Sequence, residues 1–403
     1  MLLIRNAAVW PMKDGTRFDH GYVLCDGGRI RETGLGDGLT GSAASGVHRI
    51  LDAQGGVVMP GLIDAHCHLG VFADGGGVEG DDGNEETDPI TPHLRSVDAI
   101  HHEDRCFREA AAAGVTSVMT GPGSANVLGG QFTFLKTVGR DVDAMALKAP
   151  AAMKAAFGEN PKKNYGPRHA APATRMATAA LLRETLFKAE RYAKEIAASE
   201  AGGASGGKRP DFDMKLEALL PVMAREIPLK IHAHRADDLL TAMRICEEFG
   251  LRYTLEHATE GYRIVDAILA AMEGKGRRST LEGVVVGPLL LDRSKPELRN
   301  SDLRNPGLLA AAGIPVALMT DHPCVPIQHL LVGAAVSVRE GMDEEAALRA
   351  VTIHAARVCG VADRVGSIEP GKDADLVVFT GHPLDYRTKV RFTVVDGVVV
   401  HGA

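Results

Sequence analysis

Val57-Val58-Met59-Pro60-Gly61-Leu62-Ile63-Asp64-Ala65-His66-Cys67-His68 is an apolar run that ends on two histidines one residue apart. In a strand the side chains alternate with period two, so both imidazoles leave the same face. Imidazole nitrogen is a good ligand for zinc and its first-row neighbours, and a strand is stiff enough to hold two rings on one ion. His-x-His also occurs in tags and on polar strand faces. The weight here comes from its setting, after Pro60-Gly61 at the exit of a buried strand, with more histidines and carboxylates downstream.

Outward from that strand, apolar runs alternate with helical patterns, as βα units require. Strands are predicted at 61–68, 115–120, 152–158, 229–234, 252–257, 283–287 and 315–321, with an eighth sought at 141–148. After 229–234, Leu239, Met243 and Cys246 recur at helical spacing, as in a helix laid on a barrel. The ends differ in texture. Residues 1–58 and 361–403 read as short strands with hairpin signals at Asp26-Gly27-Gly28 and Asp396-Gly397. The predicted fold is α/β: a distorted (β/α)8 TIM barrel over 59–360, beside a small β-sandwich that both termini build. The acidic, glycine-rich stretch 70–93 follows the first barrel strand, where a cover over an active site would lie.

At 403 residues the chain suits such a barrel with an appended domain, and a net charge of −7 without a basic run argues against a nucleic-acid partner. No apolar run reaches the ~20 residues of a membrane span. The six cysteines show no paired spacing, and no secretory leader is evident, so reduced thiols in the cytoplasm are expected. A homo-oligomer fits barrels of this size, but no stripe specifies one.

Several later strands also end on a potential ligand: His232 and His234, then His257, then Asp321. A lone histidine at a strand end is commonly a hydrogen-bonded rim residue. In a barrel, however, strand ends converge on one mouth, so these residues would meet there.

Pro60-Gly-Leu-Ile-Asp-Ala-His66-Cys-His68, the strand-end His232 and His257, Asp321 in Thr-Asp-His-Pro, and Glu369-Pro-Gly-Lys-Asp-Ala-Asp-Leu-Val377 together resemble the metal-dependent amidohydrolase superfamily. Within it the chain is most similar to imidazolonepropionase-like and dihydroorotase-like cyclic amidohydrolases. The resemblance implies a hydroxide held by one or two divalent metals, usually zinc. His66 and His68 would bind the buried ion, Asp321 would complete it and serve as general base and acid, and His232 and His257 would bind the second. His234 would face substrate or support the ligands.

Binuclear members add a bridging anion from the third or fourth strand, a carboxylate or a carbamylated lysine. Glu159 is the favoured residue because it lies nearer the strand's C-terminal end; Lys154 and Lys148 are the alternatives. Arg168, His169 and His322 are candidate substrate contacts, the first two on a loop placed to meet an anionic group, and 129–131 are further pocket candidates. Cys67 alternates away from the ligands and should only pack.

One departure matters. Deaminases of the family, and imidazolonepropionase itself, carry a glutamate three residues after the fifth-strand histidine, where this chain has Arg235. The expected function is therefore hydrolysis of a carbon–nitrogen amide bond in a small molecule: a cyclic amide, an N-acyl amino acid or a dipeptide-like compound. The rival readings are a mononuclear deaminase and a non-catalytic scaffold. Retention of every ligand speaks against the scaffold.

Overall fold

The computed structural model describes residues 1–38, 46–201, 209–274, 276 and 278–402. Two eight-stranded sheets organise them. The strands of the first are β1 (Leu2–Val9), β2 (Phe18–Asp26), β3 (Arg29–Leu35), β4 (Arg49–Asp52) and β5 (Val57–Pro60), with β14 (Leu376–Phe379), β15 (Val390–Val395) and β16 (Val398–His401) from the other terminus. The second comprises β6 (Leu62–Cys67), β7 (Val115–Thr120), β8 (Leu128–Lys136), β9 (Ala146–Ala156), β10 (Leu229–Ala233), β11 (Arg252–His257), β12 (Thr280–Val286) and β13 (Val316–Leu318).

The second sheet runs in chain order from β6 to β13 and is the barrel. It nearly closes on itself, since the Asp321 amide donates to the His66 carbonyl (3.2 Å) and the His68 amide to the His322 carbonyl (2.9 Å). Asp64 reinforces the seam, its buried carboxylate accepting from the Thr320 amide and hydroxyl. The last strand is thereby held against the first, and residues 321 and 322 sit beside His66 and His68.

The eighth strand is β8, not 141–148. It pairs antiparallel with both neighbours, so the sheet is mixed. Val142–Met145 is a helical turn, and 146–148 open β9. The helix Ala236–Phe249 covers the barrel with Leu239, Met243 and Cys246 buried, and ends at Gly250 in the left-handed region (φ 67°), as helix C-termini favour.

Both termini share one sheet, as expected. Its two halves meet where β5 pairs β1 in parallel and β14 antiparallel, so this sheet extends through Pro60 before the chain enters the barrel at Leu62. The first half of β1 pairs β4 and the second half β5, a fork that lets Leu2, Ile4, Val23, Leu51, Val58, Leu376 and Val394 share a core separate from the barrel's. Among the described residues, no helix is long and apolar enough to cross a membrane, and all six cysteines are unpaired.

Candidate metal centre

Five imidazoles reach the barrel mouth, and each is fixed through Nδ1. His66 Nδ1 lies 2.8 Å from Glu256 Oε2, His68 Nδ1 2.8 Å from the Gly121 carbonyl, and His257 Nδ1 2.9 Å from the Gly287 carbonyl. His232 Nδ1 meets the Ser124 hydroxyl at 2.9 Å and His234 Nδ1 the Thr259 hydroxyl at 2.7 Å. With Nδ1 so engaged, the ring orientation is set and Nε2 is turned inward. Ligating histidines are commonly oriented through their other nitrogen in this way.

Potential ligand atoms fall into two groups, from His66, His68 and Asp321 in one and His232, His234 and His257 in the other, within 4.8 Å of one another inside each group. The groups adjoin, the His66 and His257 rings being 5.6 Å apart. Burial drives His66 and His234 down to about 3 and holds His232 and His257 well below the usual imidazole range. Neutral imidazoles are the form that ligates.

Polar atoms are left over. Asp321 Oδ1 and His257 Nε2 are buried without a hydrogen bond. His68 Nε2 lies 3.2 Å from that Asp321 oxygen although its Nδ1 already faces a carbonyl. At that separation the two atoms need a positive charge between them, a proton or a metal ion. His257 (φ 67°) and Asp321 (φ 53°) also adopt left-handed backbone, uncommon for such residues and often associated with function. A divalent cation satisfies this donor set.

Glu159 does not join it. It begins the short helix Glu159–Tyr165 and pairs with Lys163. Lys154 stands there instead, fully buried, with Nζ 3.2 Å from His66 Nε2. Burial, partly offset by Asp321 and Glu256, lowers its ammonium to about 8. Lys148 lies toward the opposite end of β9, near Gly360.

Below the cluster, Lys230 and Glu256 form a buried ion pair at 2.9 Å. Sequence reasoning assigns Glu256 no role. The signal that could have found it is the alternation that sets it on the same inward row as Thr254, opposite His232 in the ladder.

Above the cluster lies a cavity of about 460 Å³, lined by His68, His232, His234, His257 and Asp321 among others. Arg168 and His169 are exposed outside it, and Arg168 is paired with Glu86. The His322 ring is buried outside the lining, its Nδ1 without a partner, while its carbonyl serves the barrel seam. Residues 129–131 belong to β8. Cys67 packs in the barrel core. The 70–93 stretch supplies Phe72 and Asn84 to the lining.

The amidohydrolase family model matches residues 57–403. A solved amidohydrolase from Thermotoga maritima MSB8 superposes with a TM-score of 0.91 at 41% identity, over 99% of each chain. Imidazolonepropionase from Geobacillus kaustophilus is 28% identical over 91% of this chain and 85% of its own length. Amidohydrolase tasK from Hapsidospora irregularis is 28% identical over 95% of this chain, which spans only 41% of that relative's length. The match across most of the sequence and the histidine-rich barrel mouth agree: the chain belongs to the amidohydrolase family.

Proposed function

We propose that this chain is a cytoplasmic, metal-dependent hydrolase that cleaves a carbon–nitrogen amide bond of a small molecule. The observation that carries the reading is the set of five imidazoles anchored at Nδ1 beneath a cavity, with Nε2 of His66 and His68 turned toward Asp321 and His232, His234 and His257 grouped beside them. His66, His68 and Asp321 would hold one ion and His232, His234 and His257 a second, zinc being the ion this nitrogen-rich set favours. Lys154, part of which is free amine near neutral pH, would add carbon dioxide through its nitrogen, release a proton to solvent and offer the resulting carbamate as a further anionic ligand between the two groups.

Divalent ions bound there lower the pKa of water and polarise a carbonyl. Asp321 then accepts the proton of the attacking water and delivers it to the leaving nitrogen as the C–N bond breaks, a shuttle that needs its carboxylate near both. The mononuclear deaminase reading finds no support at Arg235, which sits at the start of the covering helix and pairs with Asp237 at 2.6 Å.

Elemental analysis of protein purified without chelator tests the centre. About two equivalents of metal are expected in the wild type and in Glu159→Ala, falling to one or fewer in Lys154→Ala. One equivalent in all three removes the bridge; none in the wild type removes the metal reading. Asp321→Asn should lose about 10²- to 10³-fold in kcat toward N-acyl amino acids or lactams, and wild-type turnover in that variant would refute its role.

A further inference from the structure

We infer that Lys295 is the anion-recognition residue of this site and that the substrate carries a carboxylate close to the scissile amide. The inference rests on the hydrolase reading above and narrows its substrate class to N-acyl amino acids and dipeptides over neutral cyclic amides.

Lys295 lies in the segment after β12 and lines the cavity. It is half-buried, and no carboxylate among the described residues lies within ion-pair distance of it. Its ammonium donates instead to Asn160 Oδ1 at 3.0 Å. Asn160 Nδ2 in turn lies 3.4 Å from His232 Nε2, so one side-chain amide separates the ammonium from the second ligand group. A lysine loses rotamer freedom and hydration when it is partly buried, and a single neutral acceptor offsets little of that cost. An anion arriving in the cavity would complete it.

Two carboxylates lie close along the chain: Asp292, which lines the cavity, and Glu297, whose ionised form Lys295 favours from beyond ion-pair distance. Glu297, two residues on, accepts the Glu159 amide through Oε2 at 3.0 Å and turns Oε1 toward His234 Nε2 at 3.6 Å. Asp292 is exposed and accepts from the Ser294 amide within its own turn at 3.1 Å. Arg168, the cation expected from sequence to meet an anion, is neutralised by Glu86 outside the cavity.

Phe72 packs edge-on to His68 with centroids 5.5 Å apart beside the first ligand group, Lys295 stands beside the second, and Leu291 and Leu298 add apolar lining. An amide lying across both groups would set its carboxylate at Lys295.

The test compares metal-loaded wild type, Lys295→Met and Lys295→Arg on two matched pairs: N-acetyl-L-leucine against its carboxamide, and alanyl-leucine against alanyl-leucinamide. Wild type should favour the acids, and the acid-to-amide ratio of kcat/KM should fall about 10- to 100-fold in Lys295→Met, mostly through KM. Lys295→Arg should recover much of the ratio. An unchanged ratio in Lys295→Met, or a wild type that prefers the amides, overturns the inference while leaving the hydrolase reading intact. Should wild type hydrolyse none of the four, turnover of lactams decides on the hydrolase reading and calorimetric binding of the four compounds decides on Lys295: tighter binding of the acids, lost in Lys295→Met, upholds it, and equal binding overturns it.

Discussion

Glu256 does two jobs with one carboxylate: it fixes His66 Nδ1 at 2.8 Å and neutralises the buried Lys230 at 2.9 Å. Glu256→Gln keeps the size and an acceptor oxygen but removes the charge. Metal affinity should fall about 10- to 100-fold, as for other groups that orient a ligating histidine, and competition with a chromophoric chelator would measure it. Unaltered affinity would mean that the ring is held by packing alone. The same row of residues explains what the sequence disclosed and what it concealed. The pairs His66/His68 and His232/His234 are readable because alternation fixes their face, whereas His257 follows the inward Glu256 and adopts a left-handed backbone (φ 67°). Sequence reasoning favours Glu159 over Lys154 because Glu159 lies nearer the strand's C-terminal end. Lys154 pairs in register with Lys230, two residues below His232, a depth of about 6.6 Å along a strand. A lysine stem spans a comparable distance and reaches up to His66. Glu159 begins a helix beyond the strand end and turns to Lys163.

At the scale of elements, six of the eight barrel strands were legible from their bounded apolar runs, and a seventh, β9, in its second half; β8 was not. A parallel βα pattern leads one to look for a strand after each helix, whereas β8 is antiparallel to β7 and β9 and has no covering helix before it. Its Gly129-Gly130 pair also reads as a loop. The backbone at 130 requires glycine, since its φ is +117° and a Cβ there would lie 2.6 Å from the Leu94 carbonyl oxygen, the group that accepts the Gln131 amide at 2.8 Å. Gly130→Ala should therefore cost about 2–4 kcal/mol, from strain and displacement of that loop, seen as a lower urea midpoint. A loss below about 0.5 kcal/mol would show that the 94–95 segment moves aside freely.

For the whole molecule, the question is what fastens the barrel to the sheet built by the termini. Lys136, at the end of β8, enters a cluster of carboxylates from the C-terminal segment: Nζ lies 2.8 Å from Asp373 and 3.2 Å from Asp375, and it also pairs with Asp396. Arg364 holds Asp373 through two bonds of 2.9 Å, so Asp375, almost fully buried, depends most on Lys136. The sequence showed the Lys-Asp-Ala-Asp segment as a family signature but not its partner, because a contact between residues 136 and 375 leaves no local pattern. Lys136→Met should destabilise the fold by about 3–5 kcal/mol near pH 8, since it leaves a buried charge without its counterion. The pH dependence follows from Asp375, which burial raises to about 6 despite Lys136. A carboxyl with a raised folded pKa contributes stability that is complete below its unfolded value near 4 and is lost as pH rises through the folded one. Without Lys136 the folded value climbs further, and the loss extends to higher pH. The gap between wild type and Lys136→Met should thus be widest near pH 8 and narrow toward pH 5, as the proton replaces the missing lysine. Chemical denaturation at both pH values measures it, and a gap that stays constant would show that the cluster is held by Arg364 and packing rather than by this charge.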